Sequence, residues 1–315
     1  MNDIVPASLK DPRIDTQVLQ IGDLEFEIDC CGDGDRLALC LHGFPEHSFS
    51  WRHQLPALAQ QGFKAWAPNL RGYGKSSRPK GVSAYGLDLL VEDVASIIQA
   101  SGCKETVLIA HDWGAVIAWH FAITDRLPLS HLVICNVPHP QAMQKAFGWE
   151  QMKKSWYVFF FQLPKIPEYL LGRDNAKGVG EMIRNTFVDP TKFPPEIAEV
   201  FSRNANQPGA LTAMINYYRA LIRNNPNSKP KSEDFPIIKT PTLMIWGEED
   251  VALSKETTYG TERYVEDFTI RYLPGVSHWV QQESPETVNS IITAFLKGES
   301  VPQAEPRKQI EDRLS

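Results

Sequence analysis

The chain has 315 residues and carries 32 Lys and Arg against 38 Asp and Glu, which gives a net charge of −6. This charge excludes the basic footprint that binds nucleic acids or anionic membranes, and no apolar run reaches the roughly 18 residues that span a bilayer. The length allows a large core, in one domain with an insertion or in two domains.

The first third of the sequence predicts strands that alternate with helices. Short apolar runs indicate strands, and longer segments with a helical apolar period that end at Gly indicate helices. This alternation predicts an α/β fold, with a mostly parallel sheet and helices on both faces. Strands are expected at residues 16–21 and 24–30, joined as a hairpin, and at 36–42, 64–68, 106–110 and 131–135; helices are expected at 54–62, 87–102 and 115–123.

The alternation stops after residue 137. The stretch 138–236 is aromatic and holds many Pro and Asn, and we interpret it as an inserted helical cap or lid. Residues 1–137 and 237–315 would then form the interrupted core. Cap helices are expected at 142–161, 178–186, 195–203 and 210–223, further strands at 242–247 and 269–273, a last helix at 285–297, and a mobile polar tail from about residue 300.

Asp112 lies where the strand 106–110 turns sharply into the next helix. The small residues Ala110 and Gly114 flank this turn, as they must where two backbone segments pass close together. A carboxylate exposed here can attack a saturated carbon and form an alkyl ester on the enzyme, whereas a serine would attack a carbonyl. The alternative is that Asp112 only caps the helix. As a nucleophile, Asp112 predicts the opening of an epoxide or the displacement of a halide.

His278 follows the last predicted strand and is the candidate base. Residues that follow parallel strands gather at one edge of the sheet, where ligands bind, and Asp112 lies at that edge too. The chain has eight histidines, so a surface role is the alternative for any one of them. The order nucleophile, acid, histidine along the chain favours His278 as the base.

A carboxylate should orient this histidine through its other ring nitrogen. Glu248, Glu249 and Asp250 all follow the predicted strand 242–247. We choose Asp250, because the apolar residues 251–253 would pack it inward, and we expect the two glutamates to face solvent. An acid after strand 131–135 is the alternative, but the residue there is Asn136.

Hydrolysis of an ester also needs an oxyanion hole. The run His42-Gly43-Phe44-Pro45 begins at the end of the third predicted strand, and the backbone N–H groups of Phe44 and Trp113 could converge on one oxygen. A simple tight turn is the alternative, and a cis bond before Pro45 would suit either interpretation.

Five strings carry a wider resemblance: 42–46 (His-Gly-Phe-Pro-Glu), 71–77 (Arg-Gly-Tyr-Gly-Lys-Ser-Ser), 111–114 (His-Asp-Trp-Gly), 216–219 (Asn-Tyr-Tyr-Arg) and 277–279 (Ser-His-Trp). Together they resemble the α/β-hydrolase family and, within it, the epoxide hydrolases, over roughly residues 15–298. The resemblance implies two cap tyrosines that hold the epoxide oxygen, and Tyr157 and Tyr218 match them. A phenol can hydrogen-bond to the alkoxide of an opened ring and supply a proton. Packing is the alternative role for both, and the neighbouring Tyr217 is the weaker candidate.

Two other functions are weighed against this one. Haloalkane dehalogenases usually carry a halide donor where this chain has Phe44. Haloacetate dehalogenases carry arginines where it has Trp113 and Val116, and a His-Trp pair where it has Ser155 and Trp156. A catalytically silent hydrolase fold that senses a ligand has less need for a nucleophile, an acid and a base together. We therefore expect an epoxide hydrolase.

The expected reaction converts a small apolar epoxide and water to a vicinal diol through an Asp112 ester, with no metal or organic cofactor. The start of the sequence lacks a signal-peptide profile, and five cysteines without metal spacing suggest reduced thiols in the cytoplasm. The oligomeric state stays open, with a homodimer as one option. Substrate-lining side chains are expected at Trp113, Trp156, Phe159, Met214 and Trp279, with Phe160, Met182 and Phe187 as further candidates.

Overall fold

The computed structural model describes residues 4–146, 148–223 and 235–304. Parts of the predicted cap and of the predicted mobile tail, residues 147, 224–234 and 305–315, lie outside the described residues. The strands are β1 (Asp15–Ile21), β2 (Leu24–Cys31), β3 (Arg36–Leu41), β4 (Phe63–Pro68), β5 (Glu105–His111), β6 (His131–Cys135), β7 (Thr242–Gly247) and β8 (Phe268–Leu273).

These strands form one eight-stranded sheet in the order β1-β2-β4-β3-β5-β6-β7-β8. The pairs β1/β2 and β2/β4 are antiparallel, and all the others are parallel. The central strands β3, β5, β6 and β7 are almost wholly buried, as expected for parallel strands covered on both faces. The predicted α/β class with a mostly parallel sheet is confirmed.

Helices cover both faces of the sheet, and the sheet separates two hydrophobic cores. One core packs the helices Leu87–Ala100 and Trp113–Ile123 against the sheet, and the other packs the helices Gln54–Ala59 and Pro285–Leu296 against the opposite face. The helices are α1 (Gln54–Ala59), α2 (Leu87–Ala100), α3 (Trp113–Ile123), α4 (Pro140–Ala146), α5 (Trp149–Lys154), α6 (Trp156–Phe160), α7 (Ile166–Leu171), α8 (Arg173–Thr186), α9 (Pro195–Ala205), α10 (Ala210–Arg223), α11 (Val280–Glu283) and α12 (Pro285–Leu296). In the part of the chain that the structure describes, no helix is long and apolar enough to cross a membrane.

Among the described residues between β6 and β7 there are seven α-helices, α4 to α10. The single helix expected at 142–161 is three short helices, since the backbone leaves the helical conformation at Gly148 and Ser155. Helix α7 was not predicted. Helix α8 begins earlier than expected, but residues 174–176 in its first turn have positive φ angles, so its regular part starts close to the predicted residue 178.

Candidate active site

Asp112 occupies a sharp turn between β5 and α3, with φ 47° and ψ −120°. Two glycines make room for this turn. A Cβ atom on Gly114 would lie 2.4 Å from the carbonyl oxygen of Leu41, and one on Gly43 would lie 2.3 Å from the Cβ of Asp112. Gly114, two residues after Asp112, is therefore required by a close backbone approach, and Gly43 in the loop after β3 meets the same need.

The Asp112 carboxylate makes no capping bond to α3, so the geometry speaks against the capping role. Its Oδ1 atom instead accepts a hydrogen bond of 2.6 Å from the Phe44 N–H. Its Oδ2 atom lies 3.6 Å from Nε2 of His278. Burial works to raise the pKa of Asp112, but His278, His111 and the Phe44 N–H together outweigh it, and the pKa lies below its ordinary value. Asp112 is thus held as an ionised carboxylate.

The expected oxyanion donors lie on two sides of this turn. The Phe44 N–H points at Asp112, and the bond between Phe44 and Pro45 is cis. Trp113 is the first residue of α3, where backbone N–H groups have no acceptor within the helix. A negative oxygen on Asp112 could therefore meet two backbone donors.

His278 is buried between two carboxylates. Its Nδ1 atom lies 2.7 Å from Oδ2 of Asp250, and its Nε2 atom faces Asp112. Burial works to lower the pKa of His278, but the charge of Asp250 and the contact with Asp112 raise it to about 10. The imidazole is therefore protonated at neutral pH while Asp112 carries its charge.

Asp250 is the acid that reaches this histidine. Glu249 is exposed, and Glu248 pairs with Lys255. The expectation that residues 251–253 pack Asp250 inward needs correction, because Val251 is 53% exposed. What fixes the carboxylate is hydrogen bonding: its Oδ1 accepts from the backbone N–H groups of residues 252 and 253, at 2.7 and 2.9 Å.

Asn136 supports the same carboxylate, and sequence reasoning missed this role. Its side-chain amide donates to Oδ2 of Asp250 at 2.7 Å and accepts from the Gly247 N–H at 3.2 Å. Burial works to raise the pKa of Asp250, but His278 and, to a smaller extent, the Asn136 amide hold it below its ordinary value. The sequence feature that could have revealed this role is the position of Asn136 directly after β6, the strand next to β7 in the sheet.

A second buried pair, Glu46 and His111, lies behind the turn. His111 Nδ1 is 2.7 Å from Oε2 of Glu46, and its Nε2 is 2.9 Å from the backbone oxygen of His278. Both ring nitrogens of His111 are thus engaged in hydrogen bonds. Sequence reasoning gave neither residue a role. Through these two hydrogen bonds, His111 links the backbone at His278 to Glu46, which lies two residues after Phe44.

Two tyrosines from the inserted helices face this turn. Tyr218 is buried, and its ring centroid lies 5.2 Å from that of Phe44, 5.0 Å from Trp113 and 5.8 Å from Tyr157. Burial raises the pKa of both tyrosines, and the charge of Asp112 adds to this. The Tyr217 hydroxyl instead donates to the backbone oxygen of Arg71 at 2.8 Å. Tyr157 and Tyr218 can therefore keep their protons and donate them to a stronger base.

The expected lining residues have very different surroundings. Trp113 and Met214 are buried, whereas Trp156 and Phe159 of α6 are 63% and 61% exposed. Trp279 is buried in a separate cluster, and its indole N–H donates to the Thr186 hydroxyl at 2.8 Å. Their contact with substrate stays a prediction.

No group of three or more His, Cys, Asp or Glu residues suited to a metal ion occurs within residues 4–146, 148–223 and 235–304. The arrangement around Asp112 offers an ionised carboxylate, backbone donors for a negative oxygen, a histidine backed by an acid, and two phenols. These groups can form and hydrolyse a covalent ester.

Comparisons with known proteins agree with this geometry. A family model described as alpha/beta hydrolase fold matches residues 39–285. The chain is 36% identical over 269 residues to the AB hydrolase superfamily protein YfhM of Bacillus subtilis (strain 168), covering 85% of this chain and 92% of that protein. It is 38% identical over 286 residues to Epoxide hydrolase 3 of Xenopus tropicalis, covering 87% and 75%. The crystal structure of Bacillus megaterium epoxide hydrolase in complex with an inhibitor is similar with a TM-score of 0.81 at 31% identity, covering 89% of this chain and 100% of that one. The chain therefore belongs to the α/β-hydrolase family and, within it, to the epoxide hydrolases.

Proposed function

We propose that the chain hydrolyses epoxides to vicinal diols through an alkyl ester on Asp112. One observation carries the proposal: the Asp112 carboxylate accepts the Phe44 N–H at 2.6 Å, lies 3.6 Å from the ring nitrogen of His278, and is close enough for its charge to raise the pKa of Tyr157 and Tyr218. A carboxylate so placed is a nucleophile for carbon, and phenols so placed suit an oxygen leaving group.

In the first step, one Asp112 oxygen attacks an epoxide carbon and the ring carbon–oxygen bond breaks. Tyr157 and Tyr218 donate hydrogen bonds to the epoxide oxygen, and one of them supplies the proton that makes it a hydroxyl. Their raised pKa values keep both phenols protonated until the much more basic alkoxide forms. The product is a hydroxyalkyl ester on Asp112.

In the second step, His278 takes a proton from water and the water oxygen attacks the carboxyl carbon of Asp112. The N–H groups of Phe44 and Trp113 stabilise the oxyanion, which collapses as the ester bond breaks and the proton passes to the departing diol oxygen. Ester formation itself prepares the base. It removes the charge of Asp112, one of the two charges that raise the pKa of His278 to about 10, so the imidazolium gives its proton to the phenolate left by the first step and becomes the free base. After the diol has left, the carboxyl proton of Asp112 passes to His278 and restores the starting state.

We further propose that the inserted helices, within 138–236, act as a cap over the core formed by 1–137 and 237–315. They supply Tyr157 and Tyr218, and the aromatic rings around Tyr218 favour an apolar epoxide as substrate. Trp113, Trp156, Phe159, Met214 and Trp279 are the proposed lining residues.

The proposed compartment is the cytoplasm. All five cysteines are free thiols, and three of them are buried, which suits a reducing environment. A homodimer is one option for the assembly.

A trapping experiment tests the function. The variant His278→Gln, mixed with styrene oxide, should gain the mass of one substrate on the peptide that contains Asp112, and Asp112→Ala should gain none. Wild-type protein should release diol from epoxides faster than halide from haloalkanes or fluoroacetate. Faster halide release would instead favour a dehalogenase, and diol formation by folded Asp112→Ala would remove the nucleophile from the mechanism.

A further inference from the structure

His42 is a fully buried histidine beside Asp112, and the proposed steps give it no task. It directly follows β3 and precedes the glycine of the Gly43–Phe44 peptide group. Its Nδ1 atom lies 3.0 Å from the carbonyl oxygen of Gly43, and its Nε2 atom accepts a hydrogen bond of 3.0 Å from the Leu70 N–H. The ring of Tyr73 packs edge-on against it, with centroids 4.7 Å apart.

These contacts fix the tautomer of His42. A backbone N–H can only donate, so Nε2 must be unprotonated, and the proton of the neutral ring is on Nδ1. Burial lowers the pKa of His42 to about 4, so the ring is neutral at neutral pH. The Nδ1–H therefore donates to the Gly43 oxygen. The Glu46 N–H donates to that oxygen too, at 3.0 Å.

The Gly43 carbonyl and the Phe44 N–H belong to one planar peptide group, so fixing the carbonyl also aims the N–H. That N–H reaches Asp112 Oδ1 at 2.6 Å. We propose that His42, in its Nδ1–H form, is a positioning residue that aims the Phe44 N–H at the oxyanion formed during ester hydrolysis. The inference rests on the proposed function, because it concerns the second step of that reaction.

Two variants of His42 separate positioning from packing. The amide of His42→Asn can lie near the Nδ1 position and keep the donor to Gly43, while it gives up the acceptor for Leu70. The amide of His42→Gln can reach the Nε2 position and keep the contact with Leu70, while it gives up the donor to Gly43. Each loses one buried hydrogen bond, so each should lose a similar amount of thermal stability.

The rates of ester formation and ester hydrolysis should be measured separately, by rapid mixing with an epoxide and quenching for mass spectrometry. His42→Gln should hydrolyse its ester at least about tenfold more slowly, since loss of a whole oxyanion donor costs about 10²–10³-fold, and the ester should accumulate. His42→Asn should hydrolyse it close to the wild-type rate. Wild-type hydrolysis in folded His42→Gln, or equal slowing in both variants, would overturn the inference. A wild type that forms no ester would instead overturn the proposed function, and the inference with it.

A measurement on the wild type covers the case in which His42→Gln does not fold. The nitrogen spectrum of ¹⁵N-histidine-labelled protein, with the His42 signals assigned by their absence from His42→Asn, should show a neutral ring protonated on Nδ1 at pH 7. A ring protonated on Nε2, or a charged imidazolium, would overturn the proposed orientation.

Discussion

Gly43→Ala should move the nucleophile without changing its chemistry. The added Cβ would lie 2.3 Å from Asp112 Cβ and 2.4 Å from its Oδ1, while ordinary contacts begin at 3.4 Å, so the two segments must separate by about 1.1 Å. A displacement of about 1 Å at a reacting group can cost about 10²-fold in rate, and overpacking of this kind typically costs about 1–3 kcal/mol of stability. We expect kcat for epoxide hydrolysis to fall about a hundredfold and Tm to fall.

Gly178→Ala is the matched control. A Cβ on Gly178 has nothing within 4 Å, and the residue lies in the regular part of α8. Ala in a helix interior is more stable than Gly by about 0.5–1 kcal/mol, so this variant should keep wild-type kcat and gain stability. Both variants need measurements of kcat, KM and Tm. A Gly43→Ala protein with wild-type kcat and Tm would refute the close approach on which the geometry of the turn rests.

Three further predictions concern groups around the nucleophile. Tyr157→Phe and Tyr218→Phe should each slow ring opening in single-turnover assays, by up to about 10²–10⁴-fold for the tyrosine that supplies the proton. The control Tyr217→Phe should lose about 1 kcal/mol of stability but keep nearly the wild-type rate. Normal ring opening in the double variant Tyr157→Phe/Tyr218→Phe would refute the role of these two tyrosines. Asn136→Leu should slow ester hydrolysis more than ester formation, because it removes a hydrogen bond from the acid behind the base, and equal slowing of both steps would argue against that role. His278 has a pKa of about 10 in the folded protein against an ordinary value of 6.5, so its contribution to stability is full below pH 6.5 and is lost as the pH rises through 10. Between these two pH values, Tm of the wild type should fall more steeply than Tm of His278→Gln. Parallel Tm curves for the two proteins would contradict the raised pKa.

The sequence predicts the core sheet well because its central strands are buried on both faces. Such strands read as unbroken apolar runs, as in β5 and β7, and their ends gather at one edge of the sheet. Together with the strand-to-helix turn at Asp112 and the chain order nucleophile, acid, histidine, this rule groups Asp112, Asp250 and His278 as candidates.

Side-chain hydrogen bonding and local helix ends were harder to predict. Asn136 lies where an acid was the alternative partner for His278, and an amide there suggests no role in catalysis. Its side chain nevertheless donates a hydrogen bond to Asp250, the acid that follows the next strand. The exposure of Trp156 and Phe159 could not be read from composition, since an aromatic run does not reveal which of its faces turns to solvent. The backbone leaves the helical conformation at Gly148 and Ser155, and helix propensity alone does not specify such breaks, because most helical stability in proteins comes from tertiary packing.

A single turnover in heavy-oxygen water tests the central claim, the ester on Asp112, most directly. Wild-type protein in excess over an epoxide should incorporate ¹⁸O into the carboxyl group of Asp112, because water attacks the carboxyl carbon, and the first diol released should carry none. The label should reach the diol only on the next turnover. Label in the first diol and none in the protein would contradict the account, since His278 would then direct water at the epoxide itself.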